Sequence, residues 1–198
     1  MGVTRPHRKL VKHYHEPGDL HELTFSCYKR QPLLTNDAWR EQLARCIDAA
    51  GAEFEIKLAA FVFMPEHVHL LVVPTGREPA IDRYLAGIKQ PFSKWVKQQL
   101  LERKSPLVER LTVHERPGKT CFRFWQEGPG YDRNLTTPAV IEAAIEYIHM
   151  NPVRRGLVKR AVDWKWSSAS WYLLDPPRQQ LPGLPFIHGL PVGTLDRI

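Results

Sequence analysis

The sequence predicts an α+β fold, an antiparallel sheet with helices mainly on one face in a ferredoxin-like or RRM-like arrangement. Three observations predict it. Apolar runs of strand length, at residues 20–28, 53–63 and 67–73, alternate with stretches of helical periodicity at 37–50, 80–103 and 138–150. The second and third strands are separated only by Met64-Pro65-Glu66, which is too short for the crossover that parallel pairing requires. A chain of 198 residues with 43% hydrophobic content supplies one core, and it shows no internal repeat.

Residues 1–19 form a basic arm (Arg5, Arg8, Lys9, Lys12) that ends in the turn signal Pro17-Gly18. Its own histidine pair, His13 and His15, has no buried strand to hold it. From Leu20, the alternation of Leu23, Phe25 and Cys27 with Thr24, Ser26 and Tyr28 reads as a strand. Asn36 or Thr35 caps the next helix, which places Trp39, Leu43, Cys46 and Ile47 on one face and stops at Gly51. The second helix is apolar at Ile81, Tyr84, Leu85, Ile88, Phe92, Trp95, Val96 and Leu100, with a kink or break expected between Gly87 and Pro91. Leu111 to Gln126 reads as a ribbon about the turn Arg116-Pro117-Gly118-Lys119, supplying a further strand. The third helix has Thr137 as its cap and Pro138 at its first position, and Asn151-Pro152 is expected to end it. The aromatic segment DWKWSSASWY from Asp163 should pack back on the domain. The organisation expected is an arm (1–19), one domain (20–174) and a proline-rich tail (175–198).

Lysine and arginine outnumber aspartate and glutamate by 28 to 21, giving a net charge of +7 that favours a polyanionic partner such as nucleic acid. The three cysteines include no C-x-x-C pair, which argues against a disulfide scaffold or zinc ribbon and makes the cytoplasm the default compartment. Neither a signal peptide nor a run of about 20 apolar residues is present, so no membrane association is expected.

The candidate chemistry lies in Phe61 to Pro74, FVFMPEHVHLLVVP. On a strand, His67, His69, Leu71 and Val73 share one face and Val68, Leu70 and Val72 the other, so two imidazoles converge inside an apolar run. Such a pair needs either a metal or a hydrogen-bonded network of structural histidines. Tyr147 and Asn151 are four apart on one face of the third helix. If that face covers the histidines, His67, His69 and Asn151 surround a cation with the Tyr147 phenol beside it. If it does not, Tyr147 is a rim tyrosine and Asn151 a helix-end residue before proline. Lys89 and Lys94 on the second helix, Arg123 and Gln126 on the ribbon, and Arg154 and Arg155 past the third helix are candidate nucleic-acid contacts, whereas Trp125 and Trp166 are better placed in the core.

The strings MPEHVHLLV and YIHMNPVRRGLV, with FWQEGPGYDRN before the second and DWKWSSASWY after it, resemble the single-tyrosine HUH transposases, most closely the REP-associated tyrosine transposase group. The likeness runs from Leu20 to Tyr172. It implies that His67 and His69 bind a divalent cation, Mg²⁺ or Mn²⁺, with Asn151 as third ligand and Tyr147 as nucleophile. It further implies cleavage and strand transfer of single-stranded or hairpin DNA through a 5′-phosphotyrosine, with a monomer favoured and a homodimer with its tyrosine helices in trans as the alternative. Glu66 and His149 are the candidate proton handlers. The loop from Gly128 to Arg133 departs from the group's usual wording. A non-cleaving nucleic-acid-binding protein and a replication nickase or relaxase are the competing functions.

Overall fold

Residue alternation and strand register build a four-stranded antiparallel sheet in the order β2-β3-β1-β6. The strands are β1 (Leu20–Ser26), β2 (Ile56–Phe63), β3 (His67–Pro74) and β6 (Tyr131–Leu135). The structure is a computed structural model that describes residues 19–78, 80–128, 130–174 and 181–194. Residues 1–18 of the basic arm, with His13 and His15, and tail residues 175–180 and 195–198 lie outside the described residues. Strand β3 is buried at every position and pairs with β2 on one side and β1 on the other, as its continuous apolar run requires.

The two faces of β3 enter different layers. Val68, Leu70 and Val72 join a core with Phe25, Phe61, Phe63 and the buried sides of α1 (Asp37–Glu53) and α2 (Ile81–Glu102). Leu71 and Val73 face the other way and meet Ile141, Ala144 and Ile148 of α4 (Pro138–Arg154). Two of the three long helices therefore cover one face and the third covers part of the other. With each fully buried aliphatic or aromatic side chain contributing about 1.5–3 kcal/mol, this double burial fixes which way His67 and His69 point.

Helix α1 starts where its cap predicts, since the Asn36 side chain accepts from the Trp39 N–H at 3.3 Å. It does not stop at Gly51. A Cβ at that residue would lie 2.8 Å from the Ile56 carbonyl, so glycine serves close packing there. Nor does α2 break between Gly87 and Pro91. It runs on to Glu102, because a cost of about 3 kcal/mol for an internal proline is outweighed by Ile88, Phe92 and Val96, all fully buried. Helix α4 likewise continues past Asn151-Pro152 to Arg154 with both residues buried, which keeps Arg154 on the tyrosine helix.

The expected ribbon is real but forms a separate two-stranded sheet, β4 (Thr112–Arg116) with β5 (Lys119–Phe122), after the short α3 (Leu107–Leu111). The fourth strand of the main sheet is instead β6, whose sequence YDRNL has no apolar alternation to announce it. Its register on β1 is held by side-chain pairs, Asp132 with His21 at 2.9 Å and Arg133 with Glu22 at 2.7 Å. Beyond β5, Phe124 and Trp125 enter the core. The free edge of β2 is covered by the segment after Asp163: the Phe63 N–H donates to the Trp166 carbonyl and the Ser168 N–H to the Phe61 carbonyl. Short helix α5 (Ala169–Leu173) follows. Of the proline-rich tail, residues 181–194 return to the domain, with the Phe186 N–H donating to Asp48 and the His188 N–H to the Leu58 carbonyl, both at 2.8 Å. All three cysteines are free, and among the described residues no helix is long and apolar enough to cross a membrane.

Candidate active site

The inner strands β3 and β1 bring a set of polar groups to the face that α4 only partly covers. His67 and His69 turn their Nε2 atoms toward each other, 3.0 Å apart, with the rings edge to face. Each Nδ1 is anchored from behind. Thr24, directly opposite His69 in the β1–β3 register, places its Oγ1 2.7 Å from His69 Nδ1. Glu66 lies with Oε1 3.2 Å from His67 Nδ1, and the same oxygen accepts from Arg155 Nη1 at 2.6 Å. Both Nδ1 partners can accept a proton bond, so both Nε2 lone pairs are available to a ligand placed between them.

Helix α4 presents Tyr147 to this pair. The phenol ring stands edge on to His69, with centroids 5.5 Å apart, and remains 43% exposed. Arg154, two turns further along, holds its guanidinium 5.2 Å from the centre of the same ring. Asn151 is buried one turn after Tyr147 and donates its amide to the Tyr147 carbonyl at 3.2 Å, which fixes the carboxamide against the helix. The structure thus unites His67, His69 and Tyr147 directly, and Asn151 through the helix backbone.

Burial pushes the His69 proton affinity down to about 3, with His67 and Arg30 adding repulsion. His67 is also lowered, by burial first and then by Arg30 and Arg155, although Glu66 opposes the shift. Both rings are therefore neutral near pH 7, the state in which imidazole ligates a metal. Their 3.0 Å separation equals that of two nitrogens at right angles about one cation, given ligand distances of about 2.0–2.1 Å. The donor set fits a divalent ion. No third His, Cys, Asp or Glu joins the pair among the described residues, so a third protein donor would be a neutral oxygen, of which the Asn151 carboxamide is the sequence candidate.

Residues 20–116 match the family described as IS200-like transposases. A curated Haemophilus influenzae protein, named as a REP-associated tyrosine transposase, is 24% identical over 115 residues, covering 58% of this chain and 60% of that protein. The chain thus spans about three fifths of that relative's length. The fold is also that of a solved REP-associated tyrosine transposase bound to a REP hairpin, with a TM-score of 0.64 at 17% identity over 93% of this chain and 98% of the other.

The six candidate DNA contacts divide into two groups. Arg154 and Arg155 border the histidines and Tyr147 as expected from their distance in sequence to Asn151. The other four lie against different elements. Lys89 packs its ammonium 5.1 Å above the Phe25 ring and donates to the Gly128 carbonyl, and burial lowers its proton affinity. Lys94 is exposed on α2, lining a shallow concavity with Phe54, Arg83 and Gln90. Arg123 is tied to Glu115 and Glu127 at 2.6 and 2.7 Å, so much of its charge is already compensated. Gln126 accepts from the Lys29 N–H at 3.1 Å.

His149, a candidate proton handler, is turned inward: its Nε2 lies 2.8 Å from Ser168 Oγ and its ring packs on Tyr172. Glu66 is a buried anchor rather than a solvated turn residue. Two groups that matter here carried no signal in the sequence. Thr24 becomes visible only through the β1–β3 register, and Arg30 reaches the site from a backbone with φ of 52°. Trp125 and Trp166 lie in the core, as their aromatic surroundings predict.

Proposed function

We propose that this protein is a transposase that cleaves and rejoins single-stranded or hairpin DNA through a covalent bond to Tyr147, at a centre where His67, His69 and Asn151 hold Mg²⁺ or Mn²⁺. The observation that carries the reading is the contact of the exposed Tyr147 ring with His69, whose Nε2 meets that of His67. A divalent ion there would polarise the scissile phosphate and offset charge developing on its oxygens.

The residues supply the remainder. Tyr147 Oη attacks the phosphorus, forming an O–P bond while the bond to the 3′-oxygen breaks. The product is a 5′-phosphotyrosine and a free 3′-hydroxyl, the phenol proton being lost and the departing oxygen gaining one. Arg154, next to the Tyr147 ring, and Arg155 place positive charge beside the nucleophile and the phosphate. Thr24 and Glu66 hold the two imidazoles in one tautomer. Because Tyr147 and the histidines meet within one chain, the arrangement supports a monomer acting in cis. A hairpin partner is the ligand of the solved relative of the same fold.

The test is to incubate the protein with end-labelled hairpin-bearing DNA and Mn²⁺ or Mg²⁺ and to look for a denaturant-resistant adduct. Wild type should form it, and Tyr147→Phe should lower it at least a thousandfold. An adduct that persists in Tyr147→Phe refutes the assignment, and binding without adduct across matched DNAs identifies a non-cleaving binding protein.

A further inference from the structure

The register of the sheet places a second functional row beside the histidines. On the face shared by His67 and His69, Ser26 lies opposite His67, Thr24 opposite His69, and Glu22 opposite Leu71. Strand β6 continues these rows, with Tyr131 opposite Thr24 and Arg133 opposite Glu22. Cross-strand partners share a face, so His69, Thr24 and Tyr131 form one line across β3, β1 and β6. At about 4.8 Å per strand, Tyr131 is about 10 Å from His69, or about three nucleotides of stacked strand.

This face is roofed at one end and open at the other. Leu20 and Leu135 are buried with α4, whereas Tyr131 is 52% exposed. Arg133 is also held at the surface, its Nη2 bonded to the buried Glu22 at 2.7 Å with the side chain 46% exposed. Glycine at 130 makes the placement possible. Its φ of 93° is unfavourable to side chains, and a Cβ there would collide with the Thr24 carbonyl, so β6 can approach β1 only without one.

We infer that Tyr131 and Arg133 form a track for an unpaired DNA segment adjoining the scissile phosphate, Tyr131 stacking on a base and Arg133 contacting a phosphate. The inference rests on the reading of His67, His69 and Tyr147 as a DNA-processing centre. Three properties favour an unpaired strand over a duplex. An exposed aromatic ring stacks only on a base with an open face, an arginine braced by a buried carboxylate presents its remaining donors in fixed geometry, and the row runs continuously into the candidate active site. The net charge of +7 favours the same partner.

Binding in EDTA to an oligothymidylate strand carrying one 2-aminopurine, and to a duplex of equal length, tests the inference without cleavage. Tyr131→Ala should weaken strand binding about tenfold and relieve 2-aminopurine quenching, with duplex binding unchanged and Tyr131→Trp close to wild type. Arg133→Ala should reduce the salt slope for the single strand by about 0.7. Strand affinity unchanged in Tyr131→Ala, equal loss on duplex, or Tyr131→Trp as weak as Tyr131→Ala overturns it. A missing Tyr147 adduct alongside a retained Tyr131 effect would refute the cleavage reading alone, and the converse would refute this one alone.

Discussion

Glutamine in place of Glu66 keeps the size of the side chain and removes its charge. In the structure one carboxylate oxygen receives Arg155 at 2.6 Å and lies 3.2 Å from His67 Nδ1, in a buried turn. A charge-assisted hydrogen bond contributes about 1.5–3 kcal/mol and a neutral one about 0.5–1.5, so each bond weakens by about 1 kcal/mol. The Arg155 share is smaller, because that side chain is 54% exposed and solvent screens the pair. The expected loss of stability is therefore about 1 kcal/mol, or 2–4 °C in melting temperature for a domain of this size. The effect on the site is larger in proportion. Partners behind a metal-bound histidine are worth about 10–100-fold in affinity, and because glutamine can still accept from Nδ1, the lower end of about tenfold applies. Calorimetric titration with Mn²⁺ at pH 7, against wild type and His67→Ala, measures it. Mn²⁺ affinity within twofold of wild type, while His67→Ala abolishes binding, would refute the claim that Glu66 orients His67.

Acid should destabilise the fold through His149, which burial holds near 4 against an ordinary value of 6.5. The unfolded chain binds the extra proton, so stability is full above pH about 6.5 and falls as pH drops toward 4, by about 3 kcal/mol in all. His149→Gln should show a shallower decline over that window in urea titrations at several pH values, and parallel curves would refute it. Gly130→Ala should displace β6 from β1, destabilising the protein by about 2–4 kcal/mol and removing the Tyr131 effect on strand binding, read by thermal melting and by the same 2-aminopurine assay. Phe124→Ala, at a fully buried ring packed on Trp39, Phe92 and Trp125, should cost about 3–5 kcal/mol in chemical denaturation.

Local sequence determined the features that depend on spacing alone. The two-sided apolar run of β3 put His67 and His69 on one face, a short hairpin fixed its pairing with β2, and the four-residue interval of Tyr147 and Asn151 placed both on one side of α4. Those properties follow from periods of 2 and 3.6 residues and survive any packing arrangement that buries the apolar positions. Tertiary structure decided the rest. Strand β6 has no apolar alternation and exists because β1 offers it a ladder and polar side-chain partners 111 residues away in sequence. Pro91 remains inside a helix because Ile88, Phe92 and Val96 are buried around it, and Pro152 because it is itself buried beside Asn151, in each case outweighing a lost hydrogen bond. Thr24 meets His69 through register, and Arg155 returns across the chain to Glu66. Long-range pairing, unlike periodicity, leaves no mark on neighbouring residues, which is why the histidine pair was legible in the sequence while the groups that orient it, and the row that extends it to Tyr131, were not.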